Sequence, residues 1–229
     1  MTELRAALSN AFAYLSREGV DIPADIWQKA LVTRALKADG DISDINAAYH
    51  DSITEILTGY FESGGAVTSA KNQIKRAMVE SFGGAFDGGW VDGGQDLPAD
   101  EEALAWFNER VNAEMGFIDM LLENAKELRK EEEPDYFTWI TSRADAFTNS
   151  VSSVYNTAVM FAKKNQMLTW QYGDADHCAT CESLNGQRHR ASWYIAHDYI
   201  PGRPGAAMDC GGYRCKCSLV DPEGNQITI

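Results

Sequence analysis

All five cysteines of this 229-residue chain, Cys178, Cys181, Cys210, Cys215 and Cys217, crowd into its last quarter, and none occurs before Cys178. Cys178 and Cys181 form a C-x2-C knuckle, and the other three follow about thirty residues later. Two knuckles separated by a loop bring four soft ligands around one tetrahedral zinc. Cys215 and Cys217 are two apart, so in an extended strand their side chains share a face and compete for one site. Gly211 and Gly212 permit the tight turn that folds Cys210 back towards Cys215. The expected ligands are therefore Cys178, Cys181, Cys210 and Cys215, with Cys217 as substitute. His177, His189 and His197 are weaker candidates, since enough thiolates are present. Buried free thiols, disulfides and a redox C-x2-C compete with this reading. The redox motif normally opens a helix after a strand in a βαβ pattern, which this sequence lacks.

Charge narrows the function classes. A formal net charge of -14 opposes strong binding to bare DNA or RNA, which needs clustered Lys and Arg to neutralise phosphates. No apolar run reaches the roughly 18 to 20 residues that a membrane span needs, and the opening segment lacks a signal-peptide pattern. The expectation is a protein made in the cytosol, without membrane contact. There thiols stay reduced, which favours metal ligation over structural disulfides.

The chain divides into two unlike parts, a helical arm over residues 1–168 and a small Cys-rich module over 169–229. Leu4, Leu8, Phe12 and Leu15 mark a first helix, and Ile26, Trp27, Ala30, Leu31 and Ala35 a second. Shorter helices are expected in "SDINAAYHDSITEILTGYF" and "TSAKNQIKRAMVESF". The glycine-rich "GGAFDGGWVDGGQDLPAD" around Trp90 predicts a loop or hairpin and a hinge over 83–100. Leu104, Phe107, Val111, Met115, Ile118, Leu122, Ala125 and Leu128 recur at steps of three and four, predicting a long amphipathic helix that ends before Pro134. Phe137, Ile140, Ala144, Phe147, Val151, Val154, Ala158 and Phe161 form a narrower seam. That seam is expected to pair antiparallel with the Glu101 helix, or else to form an oligomer contact. The fold class is mainly α, with long antiparallel helices and a small α+β zinc-binding module at the C-terminus.

"WQYGDADHCATCESLNGQ", a spacer containing Trp193 and Pro201, then "CGGYRCKCSLV" resembles the C-terminal signature of the tailed-phage head morphogenesis, or minor head protein, family. The residues that carry it are Trp170, Asp176, Cys178, Cys181, Leu184, Gly186, Gln187, Cys215 and Cys217. The helix before Trp170 resembles the family's Arg-containing helix, so the likeness covers roughly residues 140–220. Many relatives carry a His three residues before the C-x-C pair, where this chain has Gly212, with Cys210 two residues earlier.

The resemblance implies a minor structural component of the phage head, associated with the portal and needed for head assembly or DNA packaging. Its partners would be other head proteins, the portal or the major capsid protein, and its location the host cytoplasm and then the virion. Some relatives carry fused catalytic or toxin domains; this sequence ends eight residues after "LVD" and none is expected. No phosphate-binding loop, H-E-x2-H, deaminase H-x-E or G-x-S-x-G motif is present, so a non-enzymatic role with a structural zinc is expected. One alternative is a zinc-dependent nuclease with His189 as base, using Asp174, Asp176 and His177 for a second metal. Another is a zinc-ribbon nucleic-acid binder using Arg188, Arg190, Arg203, Arg214 and Lys216.

Overall fold

The computed structural model describes residues 41–96, 99–131, 135–203, 205–212 and 215–227. The two N-terminal helices expected from the sequence lie outside these residues, as does Pro134. Four long helices come first: α1 (Ile42–Ser63), α2 (Val67–Asp92), α3 (Glu101–Lys130) and α4 (Tyr136–Ala162). A small module follows, with β1 (Met167–Gln171), α5 (Ala179–Leu184), β2 (Arg188–Arg190), α6 (Ala191–Ala196) and β3 (Ser218–Val220).

Helices α1 and α3 start at side-chain caps. Asp41 caps α1 by accepting from the Ser43 N–H at 3.0 Å, and Asp100 caps α3 by accepting from the Ala103 N–H at 3.0 Å. Helix α3 opens on Glu101 and Glu102 and closes on Arg129 and Lys130, so both ends carry charges that oppose the helix dipole. Ile45, Tyr49, Ile53, Leu57 and Tyr60 of α1 recur at helical spacing and are buried.

Side-chain contacts give the helix directions. Phe61 stacks on Tyr136 with centroids 4.7 Å apart, while Asn46 donates to Ser152 at 2.8 Å, so α1 and α4 run antiparallel. Lys71 and Lys75 reach Asp119 at 2.8 and 2.9 Å, and Phe86 meets Phe107, so α2 and α3 also oppose one another. At the far end Trp106 of α3 contacts Phe161 of α4. The result is an up-down-up-down four-helix bundle.

Two sequence expectations are corrected here. The segment 83–100 is no hinge over its first half: α2 runs unbroken to Asp92, and Trp90 is buried with its Nε1–H donating to the Asp96 carbonyl at 2.9 Å. Trp90 is thus a core residue and not part of a loop. The glycines serve close packing instead of turning. A Cβ at Gly89 would overlap the Tyr155 carbonyl, and one at Gly93 would overlap the Ala162 methyl. Small residues one turn apart let the two helix backbones approach, as Gly-x3-Gly faces do elsewhere.

That approach explains the second correction. The α4 seam packs most extensively on α2, next on α1, and only sparsely on the Glu101 helix α3. Ile140, Ala144, Phe147, Val151, Val154, Ala158 and Phe161 are buried in this bundle, while Phe137, the first residue of the pattern, is 59% exposed. Sequence periodicity identified the buried face but carried no information about which neighbour would cover it.

The module forms an antiparallel three-stranded sheet in the order β2-β1-β3. Leu168 pairs with His189 and Trp170 with Leu219, and Leu168, Trp170 and Leu219 are fully buried. Because β1 starts at Met167, the expected boundary after residue 168 falls inside a strand. A second core gathers Leu168, Trp170, Leu184, Tyr194, Ile200, Met208 and Leu219, together with Met160 from the last turns of α4. Lys164, in the short link, holds Asp100 at 2.8 Å and Glu102 at 3.4 Å, tying the module's entry to the start of α3.

Candidate metal centre

The module's local chain geometry delivers the thiols. Strand β1 ends at Gln171, and the chain then passes His177 and Cys178 before the short helix α5, for which Cys178 is the N-cap and Cys181 an interior residue. Helix α5 leads into the Leu184–Gln187 turn, which returns to β1: the Gly186 N–H donates to the Trp170 carbonyl at 2.9 Å, and the Trp170 N–H to the Gln187 carbonyl at 3.0 Å. The residues Trp170, Leu184, Gly186 and Gln187 thus fix where the first knuckle sits. Tyr194 closes the turn by donating to the Gln187 carbonyl at 3.0 Å.

Two consecutive left-handed residues, Gly211 (φ 59°) and Gly212 (φ 74°), turn the chain between Cys210 and Cys215. A side chain at Gly212 would meet the Arg203 carbonyl, so glycine is required there for conformation and for space. Cys217 is buried just before β3, while Cys210 and Cys215 are half-buried. All five cysteines are free thiols.

The thiols converge. Cys178, Cys181 and Cys210 place their sulfurs within 4.8 Å of one another, and so do Cys181, Cys215 and Cys217. Cys178 and Cys181 Sγ are 3.4 Å apart. These cysteine groups could hold a metal ion. Among the described residues the sets with metal-ligating spacing contain cysteines alone, with no carboxylate or imidazole. Cys210 therefore joins the first knuckle directly, whereas Cys215 lies beside Cys217 and meets the first knuckle through Cys181.

Electrostatics divides the thiols. Burial opposes ionisation of Cys178, but hydrogen bonds from the Cys181 and Cys210 backbone and thiols bring it down to about 7. Burial drives Cys181 far in the other direction, reinforced by the neighbouring thiols of Cys178 and Cys217. Burial likewise raises Cys210 and Cys215. A soft cation would reverse these penalties, since it binds the thiolate and releases the proton.

His177 stacks on Tyr172 (centroids 3.7 Å apart, planes 8° apart) and presents Nδ1 to Cys217 Sγ at 3.7 Å, beside the cluster. His189 and His197 each stack on Trp193, with centroids 3.8 and 4.1 Å away, and His189 also contacts Gln187 Oε1 at 3.0 Å. Asp174 and Asp176 are exposed. Arg203 is buried and paired with Asp198, so it faces a protein carboxylate and not solvent. Arg188, Arg190 and Lys216 are exposed, and Arg214 lies outside the described residues.

One feature escaped the sequence reading. Asp209 bonds Thr180, the residue before Cys181, and so ties the two cysteine arms together. The signal was an acidic residue directly before Cys210 and a hydroxyl inside the C-x2-C. A second omission is a buried polar group in the bundle, where Arg110 meets Glu114 at 2.8 Å and Ser150 at 3.1 Å. Among the described residues no helix is long and apolar enough to cross a membrane. Comparison with protein-family models, with curated proteins and with solved structures finds no match in any of the three.

Proposed function

We propose that this chain is a structural protein of the tailed-phage head, a minor head protein that acts in head assembly or DNA packaging near the portal. In this reading the helical bundle is the arm that docks on other head proteins, the portal or the major capsid protein, and the cysteine module is stapled by zinc. The observation that carries the proposal is the convergence of the signature residues. Trp170 and the Leu184–Gln187 turn hold the C-x2-C knuckle, and the terminal C-x-C pair meets it through Cys181. Residues far apart in sequence thus serve one local construction, as expected where a short segment needs a metal to fold.

Zinc fits the donor set, because clustered thiolates are soft ligands and zinc prefers tetrahedral sulfur coordination. Ligand sets made of cysteines alone are typical of structural zinc sites. The exposed cations Arg188, Arg190 and Lys216 sit in a chain of strongly negative charge, which supports protein partners over nucleic acid. The test pairs two measurements: elemental analysis of the purified chain, and co-sedimentation with phage heads from infected cells. Zinc in the chain and its recovery with heads are expected. Absence from purified heads would overturn the assembly role, and a metal-free, folded module would overturn the zinc staple.

A further inference from the structure

The five sulfurs do not form a single quartet. They form two triads, Cys178–Cys181–Cys210 and Cys181–Cys215–Cys217, and Cys181 belongs to both. Four thiolates around one zinc, each about 2.3 Å from the metal, would lie about 3.8 Å from one another. Any four of these five sulfurs include a pair drawn from opposite triads. A single tetrahedron must therefore pull one arm across and leave a fifth thiol over. The candidates for that fifth thiol are the partly exposed Cys178, Cys210 and Cys215.

We propose that the cluster holds two soft divalent cations, zinc or a thiophilic surrogate, bridged by the Cys181 thiolate. This inference rests on the reading of the cysteines as a metal centre and adds its nuclearity. The first ion is held by Cys178, Cys181 and Cys210, and the second by Cys181, Cys215 and Cys217. Cys181 is only 2% exposed, so its thiolate is deprived of water, and two cations flanking it replace that lost solvation. Five thiolates against two dications leave one net negative charge in the buried cluster. Four thiolates on one dication would leave two, with a protonated thiol alongside.

The fourth positions differ in kind. Cys217 Sγ has the His177 Nδ1 at 3.7 Å, the separation of neighbouring ligands on one metal, so a small swing of the imidazole off Tyr172 completes the second ion. At the first ion Cys178 and Cys210 are half-exposed, which leaves the fourth position to solvent. Loading releases the thiol protons to the medium and changes no oxidation state.

Native mass spectrometry of the full chain titrated with zinc, and separately with cadmium, reads the stoichiometry. Two ions per chain at saturation are expected, with no thiol left open to alkylation by iodoacetamide in the folded, loaded protein. Cys210→Ser and Cys217→Ser should each drop to one ion, and Cys181→Ser should lose both, while the helical circular dichroism is kept. Saturation at one ion with one alkylatable thiol would overturn the two-metal cluster and leave the metal centre standing. No bound ion at all would overturn both.

Discussion

Asp209 Oδ2 accepts hydrogen bonds from the Thr180 backbone N–H at 2.8 Å and from the Thr180 hydroxyl at 2.7 Å, and the Asp209 N–H donates back to Thr180 Oγ1 at 3.1 Å. Thr180 lies inside the first knuckle and Asp209 adjoins Cys210, so these three bonds hold two cysteine arms in register without touching a sulfur. Groups that orient ligands from outside typically contribute 10- to 100-fold in metal affinity. Asp209→Ala and Thr180→Val are expected to weaken metal binding at the cysteines by about that factor. Competition against a chromophoric chelator measures it, and affinities equal to wild type would show the clamp to be incidental.

Gly89 and Gly59 both sit inside helices, yet they should respond oppositely to the same change. A methyl at Gly89 meets the backbone of Tyr155, which cannot rotate away, whereas nothing lies within 4 Å of a methyl at Gly59. Gly89→Ala should cost about 1–3 kcal/mol by forcing α2 and α4 apart. Gly59→Ala should add roughly 0.5–1 kcal/mol through helix propensity and unfolded-chain entropy. Thermal melts of the two variants check the sign as well as the size.

The Arg110–Glu114 pair is buried in the bundle, and burial raises the Glu114 carboxyl despite the attraction of Arg110 and the hydrogen bond with Ser150. A carboxyl whose folded pKa is raised binds its proton more tightly in the folded state. Its contribution to stability is full below the unfolded carboxylate range and is lost as pH rises through the raised value. The melting temperature of wild type minus that of Glu114→Gln should therefore fall as pH increases from about 4 to 7. Arg110→Met alone, at neutral pH, leaves a buried carboxylate unpaired and should cost about 3–5 kcal/mol. Arg110→Met combined with Glu114→Leu should be close to neutral or stabilising. A double variant as unstable as the single one would show that the pair does more than satisfy itself.

Phe147 is buried in the α4 seam, so Phe147→Asp removes aromatic packing and introduces an unpaired charge. A loss of at least about 3 kcal/mol is expected. Circular dichroism melting reads it directly. A normal melt would mean that the seam faces another subunit instead of the bundle core.

The buried faces of the long helices were legible from spacing alone, because a period of 3.6 residues marks a face whatever covers it. Seven of the eight seam positions from Phe137 to Phe161 are buried, which fits that reading. Partner choice was not legible. It depends on Gly89 and Gly93 meeting Tyr155 and Ala162, a contact between residues some seventy positions apart. The same glycines misled locally, since Gly in sequence signals a turn and only the neighbouring helix shows that it makes room. At the cysteines, composition and the C-x2-C spacing revealed the cluster. The division into two triads did not follow from spacing, because it depends on α5 burying Cys181 between the arms.

Met160 belongs to the last turns of α4, yet its side chain lies in the core of the cysteine module, and Ile195 of α6 packs against both cores. The two parts are thus not interchangeable cassettes. A cut at the link would strip the module of a piece of its own interior, and a graft onto a foreign helix would have to bring the end of α4 with it. Recombination between such chains should then find its tolerated crossover upstream of Met160, within a continuous helix, and not at the loop where a boundary looks easiest to place.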